Sequence, residues 1–255
     1  DSGSDAASLQ TTAVLEGDHY TLNGTKFWIT HGGVADVYVV MARTGGEGPR
    51  GVSAFIVEGD TPGLSFGKKE EKMGLRASPT VELILRDARV PIGNLLGSEG
   101  DGFKVAMSAL DSGRITIGAI SVGIAQAALE TSAAYACQRK QFKQAIIDFQ
   151  GVGFMLADMA CKIESARLLV HKAASLRDDS KPYSHIAAMA KCVATDASIQ
   201  VATDAVQVLG GYGYTREYPV ERYMRDAKVM QIVEGTNQVQ RLVISRHLKR
   251  IYGDS

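Results

Sequence analysis

The stretch FKVAMSALDSGRITIGAISVGIAQAALETSAAYACQRKQF, Phe103–Phe142, decides the fold class, because its apolar residues recur at helical spacing over many turns. Three further stretches show the same period: FQGVGFMLADMACKIESARLLVHKAASLRDD from Phe149, SHIAAMAKCVATDASIQVATDAVQVLGG from Ser184 and NQVQRLVISRHLKRIYG from Asn237. Long amphipathic helices joined by short links predict a four-helix bundle.

The chain before this region has the period of β-strands. The runs DVYVVMART, GVSAFIVEG and TVELILRDARVP are short, apolar and separated by turn residues. Within HYTLNGTKFWIT, the pair Asn23-Gly24 between two β-rich halves predicts a hairpin. The pattern predicts a multidomain α+β chain, with a β-barrel over residues 1–98 and a C-terminal four-helix bundle over residues 99–255.

Composition restricts the function classes. The chain has 255 residues, and its 28 basic and 28 acidic side chains cancel, which argues against nucleic acid or an anionic membrane as the main partner. No uninterrupted apolar run reaches the roughly 18 residues of a membrane span. The three cysteines lie far apart and lack the spacing of metal ligands, so we expect reduced thiols and no metal site.

Glu234 is the first candidate for chemistry. It stands between Val233 and Gly235, just before a predicted helix. A carboxylate there is favoured electrostatically by the helix, which is one interpretation. The apolar residues just before it favour another, because a carboxylate in apolar surroundings has its pKa raised toward the range useful for proton abstraction.

Three other groups admit two interpretations each. Trp28, beside Ile29 and Thr30, can face a planar ligand, although core packing is the commoner role of a tryptophan. Asp111 and Arg114, three residues apart, are spaced for an ion pair within a helix or for lining a cavity. The segment RKQF, with Arg139, Gln141 and Phe142, can bind a pyrophosphate or be solvated surface.

Taken together, these segments resemble the acyl-CoA dehydrogenase family. The motifs SGSD, LNGTKFWITHGG, KMGLRASPTVEL, RVPIGNLLG, GFKVAMSALDSGR, RKQF, FQGVGFMLADMA, QVLGGYGYTREYPVER, RDAK and IVEGTNQVQR occur in the family's order over essentially the whole chain. The resemblance implies a β-barrel middle domain and a C-terminal helical bundle, most similar to short-chain or related bacterial-type members.

The resemblance also implies a reaction, the FAD-dependent oxidation of a short- to medium-chain acyl-CoA to its trans-2-enoyl-CoA. The family's base, in the EGT motif, falls on Glu234, which would remove the α-proton while a hydride leaves the β-carbon for flavin N5. The backbone N–H of Glu234, with a flavin ribityl hydroxyl, would polarise the thioester carbonyl. Some relatives carry the base at the position of Gly113, which cannot serve here.

By the same resemblance, individual positions acquire expected roles. Those expected to bind FAD are Trp28, Ile29, Thr30, Arg139, Gln141, Phe142, Gln150, Gln207, Gly210, Gly211, Thr236 and Gln238. Those expected to bind the acyl-CoA are Ser4, Asp111, Arg114 and Gly235. In the family, several of the FAD contacts come from a neighbouring subunit, which implies a dimer or tetramer with shared sites. The implied electron acceptor is an electron-transferring flavoprotein, in the bacterial cytoplasm or mitochondrial matrix.

Three departures from the family pattern qualify these expectations. The family normally begins with a helical domain, and this sequence starts inside the SGSD motif, so a truncated, non-catalytic oligomerisation module is the alternative function. Lys143 and Ala145 stand where relatives often have Gly and Pro. Val233 replaces a Tyr frequent before the base.

Overall fold

The computed structural model describes residues 2–253 and divides into two compact units, Asp1–Ala109 and Leu110–Ser255. Asp1 and residues 254–255, where the predicted domains begin and end, lie outside the described part. The first unit is built from strands and the second from helices, so the predicted order of a β domain before a helical one is confirmed.

Six strands form one mixed sheet in the order β4-β3-β1-β2-β6-β5. Their bounds are β1 Thr12–Glu16, β2 His19–Thr30, β3 Val37–Arg43, β4 Val52–Glu58, β5 Leu64–Phe66 and β6 Thr80–Pro91. β1 and β3 are parallel and the other pairs antiparallel. The alternation of apolar residues buries one face, where Tyr20, Leu22, Phe55, Leu83 and Leu85 form the core of this unit.

The hairpin predicted at Asn23-Gly24 is wrong. Both residues lie inside β2, and the β1–β2 turn falls at Gly17, whose φ is 66°. Asn23 instead exchanges two hydrogen bonds with Asp87 of β6, at 2.8 and 3.0 Å. Gly24, at φ 149°, allows close approach, because a Cβ there would lie 2.7 Å from Thr11 Oγ1. The dipeptide therefore marks an irregularity of strand pairing rather than a turn.

Five helices make up most of the remaining chain: α1 Gly102–Gln138, α2 Gln150–Asp178, α3 Ser184–Leu209, α4 Val220–Met230 and α5 Asn237–Tyr252. Four of them match the predicted stretches, and the shorter α4 is additional. Two short strands, β7 Lys140–Gln141 and β8 Gln144–Ala145, form a hairpin between α1 and α2. α3 is buried along much of its length by small residues such as Ala190, Ala194 and Ala202, which allow close helix packing.

Helix α1 is long and apolar enough to cross a membrane by length and composition alone. The same property fits a core helix, and Ile115, Val122, Ala125 and Ala128 of α1 are buried in the core of the helical unit. Part of the apolar surface of α1 is therefore packed against the other helices.

Candidate active site

The backbone at the predicted base is unusual. Between α4 and α5 the chain makes a tight loop in which Glu234 has φ 55° and Gly235 has φ 84°. A left-handed conformation is costly for a residue with a Cβ, and such outliers concentrate at functional sites. Within the described part of the chain, the N–H of Glu234 has no hydrogen-bond acceptor. It is therefore available to an external acceptor.

The carboxylate of Glu234 lies against helix α1 at Gly113. A Cβ built on Gly113 would lie 2.5 Å from Glu234 Oε2 and 2.9 Å from Glu234 Cδ. Because any side chain at 113 would occupy this space, the glycine in the middle of a long helix is explained by the approach of the carboxylate. Glycine in a helix interior costs about 1 kcal/mol of stability relative to alanine, and α1 nevertheless has glycine at this position.

The surroundings of Glu234 favour a proton acceptor. Burial raises the pKa of Glu234, while the positive charges of Arg114 and Lys191 act in the opposite direction. A half-buried carboxylate with a raised pKa is better matched to proton abstraction near neutral pH than an exposed one.

The capping role belongs to Thr236 rather than to Glu234. Thr236 is the N-cap of α5, and its Oγ1 accepts a hydrogen bond from the N–H of Val239 at 3.3 Å. The carboxylate of Glu234, which lies beside Gly113, is left for another role.

Asp111 and Arg114 form the ion pair that their spacing predicts. Arg114 Nη1 donates to Asp111 Oδ1 at 2.6 Å, and Ser184 Oγ donates to the same oxygen at 2.8 Å. Arg114 is only 5% exposed, and its Nε has no partner among the described residues. The pair is thus both a structural link to α3 and a buried charge close to Glu234.

Four residues predicted to bind FAD meet in one cleft. A cleft of about 530 Å³ in the helical unit is lined by Arg139, Gln141, Gly210 and Gly211. Its aromatic wall contains Tyr135 and Tyr212, whose ring centroids are 6.3 Å apart. Gln207 lies on α3 one turn before this cleft, and its carbonyl accepts the N–H of Gly210. The cleft and Glu234 share no lining residue.

The RKQF segment is a tight hairpin rather than part of α1. α1 ends at Gln138, and the turn contains Phe142 at φ 50° and Lys143 at φ 68°. Phe142 is 89% exposed and contacts the edge of Phe149 with centroids 6.0 Å apart. The hairpin presents an aromatic ring to the outside of this chain.

Trp28 does not fill the core, so core packing, the commoner role of a tryptophan, is the wrong interpretation of this residue. It is 70% exposed and has φ 62°, at a point where the pairing of β2 with β6 shifts register. Ile29 is half-buried and Thr30 exposed at the end of the same strand. The irregular pairing of β2 leaves the indole of Trp28 exposed on the surface of the first unit.

The remaining predicted residues are exposed or peripheral. Ser4 lies in a bend near the N-terminus, Gln150 begins α2 and Gln238 lies on the first turn of α5, and all three are exposed. Gly235 neighbours Glu234 in the loop, and its carbonyl is held by side chains within the protein.

Three buried polar residues around this loop were absent from the predicted site: Lys191, Asn237 and Gln240. The signal for Lys191 was present in the sequence, because a lysine stands in an alanine-rich apolar stretch where Ala187 and Ala194 share its helix face. The partners of Asn237 and Gln240 come from helix α3 and from the loop, so no local pattern identified them.

Family models match both parts of the chain. The model for the acyl-CoA dehydrogenase middle domain matches residues 1–88, and that for the acyl-CoA dehydrogenase C-terminal domain matches residues 100–249. The isobutyryl-CoA dehydrogenase of Dictyostelium discoideum mitochondria is 53% identical over 98% of this chain.

Two solved structures share the fold closely. The butyryl-CoA dehydrogenase of Megasphaera elsdenii superposes with a TM-score of 0.96 at 51% identity over 97% of this chain. A chain from a structure on the electron transferring flavoprotein of Acidaminococcus fermentans superposes with a TM-score of 0.97 at 56% identity over 98%. This chain spans 60% of the Dictyostelium protein, and 65% and 66% of the two structural relatives.

Proposed function

The chain belongs to the acyl-CoA dehydrogenase family, and from that premise we propose that it forms the FAD-binding and catalytic part of an enzyme that oxidises a short- to medium-chain acyl-CoA to the trans-2-enoyl-CoA. The named substrates of its relatives, butyryl-CoA and isobutyryl-CoA, favour a short straight or lightly branched acyl group.

The main support for the proposal is the environment of Glu234. Its carboxylate is half-buried against Gly113, and burial raises its pKa. Glu234 removes the proton from the carbon next to the thioester carbonyl. Its own backbone N–H, which lacks an acceptor in the described chain, donates to the thioester oxygen and stabilises the negative charge that develops there.

The residues of the aromatic cleft fit an FAD molecule. Arg139 offers the paired donors that suit a pyrophosphate, the backbone at Gly210 and Gly211 allows close approach, and the tyrosine rings suit a planar base. A volume of about 530 Å³ is within the range of ligand pockets. FAD, when bound, would accept the hydride that leaves the β-carbon.

In the helical unit, the exposed Phe142 and the cleft fit a site completed by a second copy of the chain, and Trp28 in the first unit is likewise exposed. Large aromatic residues that are exposed on one chain are common at interfaces. A homodimer or homotetramer with shared FAD sites is therefore part of the proposal. The likeness to a chain in a flavoprotein electron-transfer structure supports an electron-transferring flavoprotein as acceptor.

The test is an anaerobic visible spectrum of the purified chain with FAD, before and after addition of butyryl-CoA. Bleaching of the flavin band in the wild type, and a bound but unbleached flavin in Glu234→Gln, is the expected result. Equal bleaching in both proteins would overturn the role of Glu234. Absence of bound flavin from the wild type would favour a non-catalytic oligomerisation module.

A further inference from the structure

Lys191, in the middle of α3, is a fully buried lysine without an ion-pair partner among the described residues. A buried ammonium group is costly unless its N–H groups are satisfied. Lys191 Nζ donates to Gly235 O at 3.0 Å and to Asn237 Oδ1 at 2.8 Å. Both acceptors belong to the loop and helix start that carry Glu234, so the buried charge serves this loop.

The carbonyl of Gly235 is held from two sides. Besides Lys191, Gln240 Nε2 donates to Gly235 O at 2.7 Å, with longer contacts to the carbonyls of Glu234 and Thr236. Gln240 is itself fully buried. A carbonyl with two buried donors cannot rotate freely, and it adjoins two successive left-handed residues. The contacts therefore oppose relaxation of the strained loop.

A second layer fixes the acceptor Asn237. Its Nδ2 donates to Asp196 Oδ1 at 2.7 Å and to Thr195 Oγ1 at 2.9 Å. Gln231, at the other end of the loop, donates to the same Asp196 oxygen at 2.6 Å. Both ends of the loop are thus tied to the same stretch of α3, which carries Lys191 and Asp196.

We propose that Lys191 is a positioning residue for Glu234: by holding the Gly235 carbonyl it fixes the left-handed turn, aims the Glu234 carboxylate at Gly113 and leaves the Glu234 N–H free for the thioester oxygen. The inference rests on the proposed function of Glu234. It assigns no contact between Lys191 and substrate or cofactor.

Charge adds to this geometry. Burial lowers the pKa of Lys191 to about 8, while the nearby groups Cys192, Asp196 and Glu234 raise it and Arg114 lowers it. Lys191 in turn opposes the rise in the pKa of Glu234. The loop should therefore respond to pH where Lys191 loses its proton.

The test compares Lys191→Met with Lys172→Met, a control on the exposed surface of α2. In the flavin-free chain, carbon-13 NMR of labelled glutamate, assigned with Glu234→Gln, measures the Glu234 titration. We expect its pKa to rise in Lys191→Met and to stay unchanged in the control. In the FAD-loaded protein, flavin reduction by butyryl-CoA should fall at least tenfold, with unchanged flavin content.

A folded Lys191→Met protein with wild-type titration and reduction would overturn the proposal, provided that Glu234→Gln abolishes reduction. If Glu234→Gln reduces flavin normally, the proposed function itself fails. Should Lys191→Met not fold, the wild type supplies the test: the carbonyl carbon shift of Gly235 is expected to titrate near pH 8, and a flat profile would contradict the contact.

Discussion

Glu234 combines two unfavourable features at one residue, a left-handed backbone and a desolvated carboxylate. The surrounding contacts maintain both, which is the usual pattern at functional sites. Helix capping, the other interpretation that the sequence allows, is performed two residues later by Thr236.

We expect Glu234→Gln to stabilise the fold at neutral pH. Burial raises the pKa of Glu234 above its ordinary value of 4.5, so its contribution to stability is fully present below pH 4.5 and is lost as pH rises through the folded-state pKa. The amide of the variant does not ionise, so the variant does not lose stability in this way. Thermal unfolding at pH 7 should show a higher midpoint temperature for Glu234→Gln than for the wild type. The two proteins should converge in acid, and a less stable variant at pH 7 would contradict the burial of the charge.

Gly113→Ala tests the contact between α1 and the carboxylate. The added Cβ would lie 2.5 Å from Glu234 Oε2, so the carboxylate must move. Reduction of flavin by substrate should fall by up to about 100-fold, because a misplacement of roughly 1 Å can cost that much. Gly123→Ala is the matched control, because nothing lies within 4 Å of its added Cβ on the same helix. Equal rates in the two variants would show that the carboxylate tolerates the shift.

At the scale of elements, the β7–β8 hairpin shows that local sequence patterns do not always predict where a helix or strand ends. Helical spacing continues through RKQF in the sequence, yet α1 ends at Gln138 because the next residues pair as two short strands. Likewise Asn23-Gly24 carries a strong turn signal, but pairing with Asp87 of a distant strand keeps it inside β2.

Lys143→Gly should stabilise this hairpin. Lys143 has φ 68°, where a residue with a Cβ costs about 1–2 kcal/mol. The entropy of glycine in the unfolded chain offsets part of this gain, which leaves roughly 0.5–1 kcal/mol. Urea denaturation measures the difference. Lys140→Gly in the adjacent strand β7 is the control and should destabilise; stabilisation by both would refute the backbone explanation.

At the scale of the whole molecule, a shared site predicts complementation between defective subunits. If Glu234 comes from one subunit and Arg139 from its neighbour, Glu234→Gln and Arg139→Gln proteins expressed together should regain activity. Random pairing in a dimer would leave both side chains intact at about a quarter of the sites. Stopped-flow flavin reduction by butyryl-CoA measures the recovered fraction.

The control mixes the two variants after each has assembled separately. Activity of the co-expressed proteins no higher than that of this mixture would place both residues in the same subunit's site.

The sequence alone determined the order of a β domain before a helical one, most strand and helix positions and the family, because these follow from local periodicity and short motifs. It offered the Asp111–Arg114 ion pair as one of two interpretations. Tertiary structure decided the exposure of Trp28, the position of Asn23-Gly24, the approach of Glu234 to Gly113 and the burial of Lys191 under the Gly235 carbonyl. Each of these depends on partners distant in the chain, and long-range packing can override a local preference where buried polar groups must find hydrogen bonds.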